Sequence, residues 1–132
     1  MKMSDKPILT AEERALQCVR LALDKKALDV TALEIRRLST IADYLVIASG
    51  SSDKQVQAIA DSVRKGLKKF GKPLDMEGEK EGKWVVIDYG DVIVHVFVEE
   101  LRRYYNLDEL WAAAPELPIP AEYQWEKSSR EA

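Results

Sequence analysis

Cysteine and histidine are almost missing from this chain: Cys18 and His95 stand alone among 132 residues. One cysteine excludes an intramolecular disulfide and every CxxC zinc or redox motif. One histidine excludes a metal site built on a histidine pair, and no metal or cofactor is expected. Long apolar runs are missing too. No uncharged apolar run exceeds Tyr44–Ala48, far short of the ~20 residues that span a bilayer, so no membrane partner is expected. A basic excess is absent: the net charge is −3 and the pI about 5.3, which is not the balance of a nucleic-acid binder. Neither GxGxxG nor GxxxxGK[ST] occurs, which excludes the Rossmann and P-loop readings. Residues 1–10 (MKMSDKPILT) hold too short an apolar stretch for a signal peptide, and Asp5 does not suit an acid-poor organellar leader. A cytoplasmic protein is the expectation.

What is present is a globular mix, 46% hydrophobic and 33% charged. A chain of this size buries roughly two-thirds of its unfolded surface and needs no covalent staple. The elements fall into one domain over residues 10–114, after an N-terminal extension (1–9) and before an extended proline-bearing tail (115–132). Thr10 and Glu13 form a capping box ahead of an amphipathic helix that carries Ala15, Leu16, Val19, Ala22 and Leu23. Cys18 lies beside that stripe and reads as a small buried thiol. Ala27 to Leu38 reads as a strand with imperfect register. Tyr44–Ala48, continuously apolar, reads as a central strand covered on both faces.

Gly50-Ser-Ser-Asp53 follows, with Ser52 and Gln55 as a second capping box. Val56, Ile59, Ala60, Val63, Leu67 and Phe70 then line one face of a long helix that Gly71 and Pro73 end. Leu74–Met76 reads as a short strand and residues 77–82 as a charged turn. Trp84–Asp88 and Asp91–Val98 form a hairpin across a Tyr89-Gly90 link. In it Trp84, Val86 and Asp88 face one way, and Asp91, Ile93, His95 and Phe97 share a face. Two short helices follow, from Glu99 to Tyr105 and from Leu107 to Ala114. The order implies an α/β (α+β) domain, a mixed sheet flanked by helices.

The near-neutral total hides two charged segments. Residues 53–73 carry six bases against two acids, and residues 74–100 carry eight acids against two bases. The basic helix face (Lys65, Lys68, Lys69, Lys72) makes direct contact with rRNA phosphates one alternative reading, although no aromatics interleave there. A nucleotidyltransferase-like enzyme is the other alternative. Gly50-Ser51 between strand and helix resembles the phosphate entry of such enzymes, but the Asp-x-Asp pair that would hold Mg²⁺ against a triphosphate occurs on no strand. His95 has no nucleophile at triad spacing and reads as a hydrogen-bonded core residue. No small-molecule substrate is expected. The stronger signal is Trp84, Tyr89, Tyr104, Tyr105 and Trp111, gathered among acids and arginines, the composition that protein interfaces enrich.

Three stretches carry a resemblance: STIADYLVIASGSSDKQVQAIAD (39–61), EGKWVVIDYGDVIVHVF (81–97) and RYYNLDELW (103–111). Together they resemble the Iojap-related ribosomal silencing factor family. The resemblance implies a nucleotidyltransferase-like fold without the catalytic carboxylates, and no enzymatic activity. It implies binding to ribosomal protein L14 (uL14) on the large subunit, which blocks the small subunit and represses translation when nutrients are scarce. Members often form homodimers when free. The family's hairpin motif maps onto Trp84, Asp88, Tyr89, Asp91 and His95, followed by Glu99, Arg102 and Tyr105. Trp84 and Tyr89 are expected to anchor the partner, while Asp88 and Asp91 pair with its Lys or Arg.

Overall fold

The computed structural model describes residues 8–123. Helix α1 (Ala11–Leu23) begins on the expected capping box: the Thr10 hydroxyl accepts from the Glu13 amide, and the Glu13 carboxylate accepts from the Thr10 amide. Strands β1 (Leu28–Glu34), β2 (Tyr44–Gly50), β3 (Asp75–Glu77), β4 (Trp84–Asp88) and β5 (Val92–Val98) make one sheet in the order β1-β2-β5-β4-β3. Only the β2–β5 pair is parallel. A parallel neighbour needs a crossover, and helix α2 (Asp53–Gly66) with the β3–β4 hairpin supplies it. The mixed sheet flanked by helices agrees with the expected fold class.

The period of two divides each strand between two cores. Tyr44, Val46 and Ala48 of β2, Val85 and Ile87 of β4, and Val92, Val94 and Val96 of β5 bury against α1 and α2. Leu45 and Ile47 of β2 and Phe97 of β5 face the other way, with Leu33, Ile35, Ala42 and Ala114. Every residue of β2 is buried, as a central strand covered on both faces requires. α2 contributes Val56, Ile59, Ala60 and Val63. Cutting such a residue as Ile59 to alanine would cost about 2–5 kcal/mol. The second face has a thinner cover, made of α3 (Glu99–Tyr105), α4 (Leu107–Leu110) and the β1–β2 connection.

Several elements depart from expectation. β1 stops at Glu34 instead of Leu38, because residues 36–38 turn and Ile35 donates to the Asp43 carbonyl. Its uneven register is a bulge at Asp29, where φ is 49°. α2 ends at Gly66, and Lys68–Phe70 continues as a 3-10 turn. The second capping box is half made: Ser52 accepts from the Gln55 amide, but the Gln55 side chain goes elsewhere. The second terminal helix ends at Leu110, not Ala114. The hairpin turns on Gly90-Asp91, one residue beyond the expected link, since the Tyr89 amide already donates to Val92. Gly90, at φ +90°, takes a conformation an L side chain resists.

Residues 115–120 run extended but are bound to the sheet, and Ala121–Tyr123 form a 3-10 turn. Glu34 donates to the Pro115 carbonyl and Leu117 donates to Ala32, both at 2.8 Å. Leu117, Ile119 and Tyr123 pack against the main core. Residues 124–132 of the expected tail and most of the expected N-terminal extension lie outside the described residues.

Candidate functional site

The two faces of the β4–β5 hairpin hold different chemistry, because alternate residues must point to opposite sides of a strand. On the second face Trp84 lies against Phe97, with ring centroids 4.8 Å apart, and against Tyr105 of α3 at 4.6 Å. Tyr104 meets Tyr105 edge-on at 5.0 Å. The Trp84 indole Nε1–H donates to His95 Nδ1 at 3.0 Å. Phe97 is fully buried, whereas Tyr105 is 47% exposed and Tyr104 78%. Gly78 lets the preceding loop pass close to this stack: a Cβ there would collide with the Trp84 carbonyl. Burial pushes the His95 pKa down to about 4, so near neutral pH the ring is uncharged.

Trp84, His95 and Tyr105 are therefore brought together. The other sequence-predicted residues are not. Asp88 is half-buried and accepts from the Gly90 amide at 2.8 Å, a short side chain closing its own turn. Trp84 and Asp88 share the face opposite buried Val85 and Ile87, as alternation requires, but the Asp88 carboxylate is taken up by the turn. Asp91 does not share the face of His95. It turns toward α1, where Arg14 Nε donates to it at 3.0 Å. Tyr89 follows it, packing against the main core with the Arg14 guanidinium 5.7 Å from its ring centre. Its hydroxyl is buried without a hydrogen bond, and burial raises the phenol's pKa. Cys18 is buried in the same core, and burial raises its thiol to about 12.

Arg102 is a tie inside the fold. Nε and Nη2 clamp Asp108 at 2.9 and 2.8 Å, and Nη1 donates to the Asp29 carbonyl at 2.7 Å and to Ser49 Oγ at 2.9 Å. Glu99 is half-buried at the start of α3, beside exposed Glu100.

Phe97 and Tyr104 join this cluster beyond the residues the family motif points to. Phe97 shares the His95 face by simple alternation, a signal present in the sequence. Tyr104 had only its place in the aromatic set.

The Gly-Ser turn has its donors occupied. Gln55 Oε1 accepts from the Ser51 amide at 2.6 Å and from its hydroxyl at 2.8 Å, while Gln55 Nε2 reaches the Lys25 and Lys26 carbonyls. A groove of about 340 Å³ beside it is lined by Ser51, Ser52, Asp53, Lys83 and Glu100. Its one cation, Lys83, pairs with Asp53 at 3.0 Å. A triphosphate would meet filled Ser51 donors, a lysine already paired with Asp53, and the Glu100 carboxylate there. On α2, Lys65 pairs with Asp61 at 3.1 Å, and in the 3-10 turn after it Lys69 lies over Phe70. Lys68 and Lys72 line a groove of about 360 Å³ shared with Asp75 and Glu79. The basic residues are thus mixed with acids.

No helix among the described residues is long and apolar enough to cross a membrane. Residues 8–132 match the family profile described as ribosomal silencing factor during starvation. The chain is 48% identical over 93 residues to the ribosomal silencing factor RsfS of Bacillus subtilis, covering 70% of this chain and 79% of that one. It is 32% identical over 111 residues to the chloroplastic protein Iojap of Zea mays, covering 83% of this chain and 48% of the plant protein. A crystal structure of a protein from Chromobacterium violaceum superposes with a TM-score of 0.77 at 32% identity, over 86% of this chain and 93% of that one. The chain belongs to the ribosomal silencing factor family.

Proposed function

We propose that the protein binds uL14 on the large ribosomal subunit through the second face of its sheet and prevents the small subunit from joining, repressing translation under nutrient limitation. The observation that supports this reading is the Trp84–Phe97–Tyr105 stack with Tyr104 at its rim. It is an aromatic surface rooted in a buried strand and left partly open by short helices. Such anchors carry most of the energy of protein interfaces. Glu99 and Glu100 at the start of α3 supply negative charge toward a basic ribosomal protein. The mechanism is steric: no bond is made or broken. The same open face suits a second copy of the chain, so a free homodimer would hide it until uL14 competes.

Of the expected contact residues, Trp84, His95 and Tyr105 make up this aromatic surface, and Glu99 adds charge from the start of α3. Asp88, Tyr89, Asp91 and Arg102 hold the fold that presents it. Cosedimentation with isolated large subunits, with and without small subunits, tests the proposal. The protein is expected to travel with large subunits and to suppress joined ribosomes, and Trp84→Ala and Tyr105→Ala are each expected to weaken binding at least tenfold (about 1.4 kcal/mol or more). Undiminished subunit joining, or uL14 that ignores the protein in a pull-down, would overturn it. Retention on naked rRNA at physiological salt, lost on replacing Lys65, Lys68, Lys69 and Lys72, would favour the nucleic-acid alternative.

A further inference from the structure

We infer that His95 is a specificity determinant of the docking face: Trp84 holds it in one tautomer, so that it offers the partner a single N–H donor and demands an oxygen acceptor opposite. This rests on the reading that the second face of the sheet docks on uL14.

The geometry leaves little freedom. An indole Nε1–H can only donate. At 3.0 Å from His95 Nδ1 it requires a lone pair there, so the proton of the neutral ring sits on Nε2. A second proton on Nδ1 would set two N–H groups against each other. Burial, which depresses the His95 pKa, acts in the same sense. Among the described residues, Nε2 makes no hydrogen bond and the one buried side-chain polar atom without a partner is the Tyr89 hydroxyl. Nε2 is therefore not fully buried and keeps an edge toward solvent, beside Trp84 and within an aromatic stack.

A lone donor in an apolar surround works as a filter. A partner carbonyl, amide or carboxylate oxygen completes it. A partner ammonium or methyl group leaves it desolvated and unpaired, which costs more than the bond itself contributes. Trp84 thus serves twice, as an anchor and as the group that sets the polarity of its neighbour.

The test uses the full chain. Because His95 is the only histidine, selective ¹⁵N-histidine labelling reports one ring. Long-range ¹H–¹⁵N spectra near neutral pH should show a protonated Nε2 and an unprotonated Nδ1. In Trp84→Phe the two nitrogens should average toward a tautomer mixture. In uL14 binding, His95→Phe keeps a ring and removes the donor, and affinity should fall about ten- to a hundredfold. His95→Gln returns an N–H at the same reach and should recover to within about fivefold of wild type. Near-UV circular dichroism confirms that both variants keep the stack. A protonated Nδ1 in the wild type, or wild-type affinity in His95→Phe, or equal losses in both variants, overturns the inference and leaves the docking reading standing. A wild-type chain that does not bind uL14 defeats the docking reading itself, and the inference with it.

Discussion

Arg102 reaches Ser49 at 2.9 Å and Asp108 at 2.8 and 2.9 Å with one guanidinium, joining the buried end of β2 to α3 and α4. Ser49 is fully buried, and Arg102 itself is only 12% exposed. A planar fork of donors can serve these acceptors together, and an ammonium cannot. Arg102→Lys should therefore lower unfolding free energy by about 1–2 kcal/mol, and Arg102→Ala by about 2–4 kcal/mol, because the acceptors are left unpaired. Urea denaturation measures both. The Arg102 hydrogen bond holds the Asp108 carboxyl below its ordinary pKa. That contribution is present above the ordinary carboxylate range and is lost as acid protonates the native group. The loss of uL14 affinity in these variants should track the loss of α3 order, not a missing direct contact.

The Arg14–Asp91 pair separates stability from binding. Charge at position 91 looked like a partner contact in the sequence, yet its carboxylate is held by α1 at 3.0 Å. Asp91→Asn should cost about 1–2 kcal/mol of stability and leave uL14 affinity within about twofold at temperatures where the variant is folded. A large affinity loss in a fully folded Asp91→Asn would return Asp91 to the interface.

Periodicity carried the sequence reading furthest where burial is one-sided. The stripe of α2, the alternation of β4 and β5 and the Thr10 capping box all appear as expected, because each depends on spacing within one element. What stayed illegible depends on groups far apart in the chain. Arg102 and Asp29 are separated by 73 positions and Arg14 and Asp91 by 77, and no local pattern announces either partner. Asp91 shows the limit well. Strand alternation assigned it to the face of His95, but the turn begins one residue late, and a residue in a turn obeys the turn. The aromatic cluster was legible as composition. Its division between two faces, with Tyr89 on one and Trp84 on the other, needed the register.

Acid should reveal the His95 environment. An ordinary histidine takes up a proton near 6.5, whereas His95 resists until about 4. Between those values the unfolded chain binds the proton and the native chain does not, so stability falls as pH drops from about 6.5 to about 4 and is flat with respect to this group above that range. The loss is on the order of 2–3 kcal/mol. Urea midpoints of wild type and His95→Gln should converge as pH falls through this window, since carboxylate effects are common to both. Parallel curves would show that His95 is not shielded.

Cys18 should be inert in the native state. It is fully buried, and burial moves its thiol pKa to about 12, so almost no thiolate exists near neutral pH. A thiol reagent should label it only in urea, at a rate that follows global unfolding. Rapid labelling of the folded protein would mean that α1 opens locally.

The segment after Ala114 closes an edge that would otherwise be exposed. β1 is the last strand on its side of the sheet, and its outer backbone groups at Ala32 and Glu34 are satisfied by Leu117 and Pro115. Leu117, Ile119 and Tyr123 add apolar cover to the main core. A chain ending at Ala114 loses both hydrogen bonds and that cover, and should be less stable by about 3 kcal/mol. Unpaired edge groups also invite strand pairing between molecules, so the truncated protein should self-associate at concentrations where the full chain does not. Leu117→Ala keeps the backbone in place and removes only part of the cover. It should cost about 1–2 kcal/mol without promoting association. Urea midpoints ordered wild type, Leu117→Ala, truncation, with self-association confined to the last by light scattering, would distinguish edge protection from simple burial. Equal association in both variants would assign the effect to lost apolar packing alone.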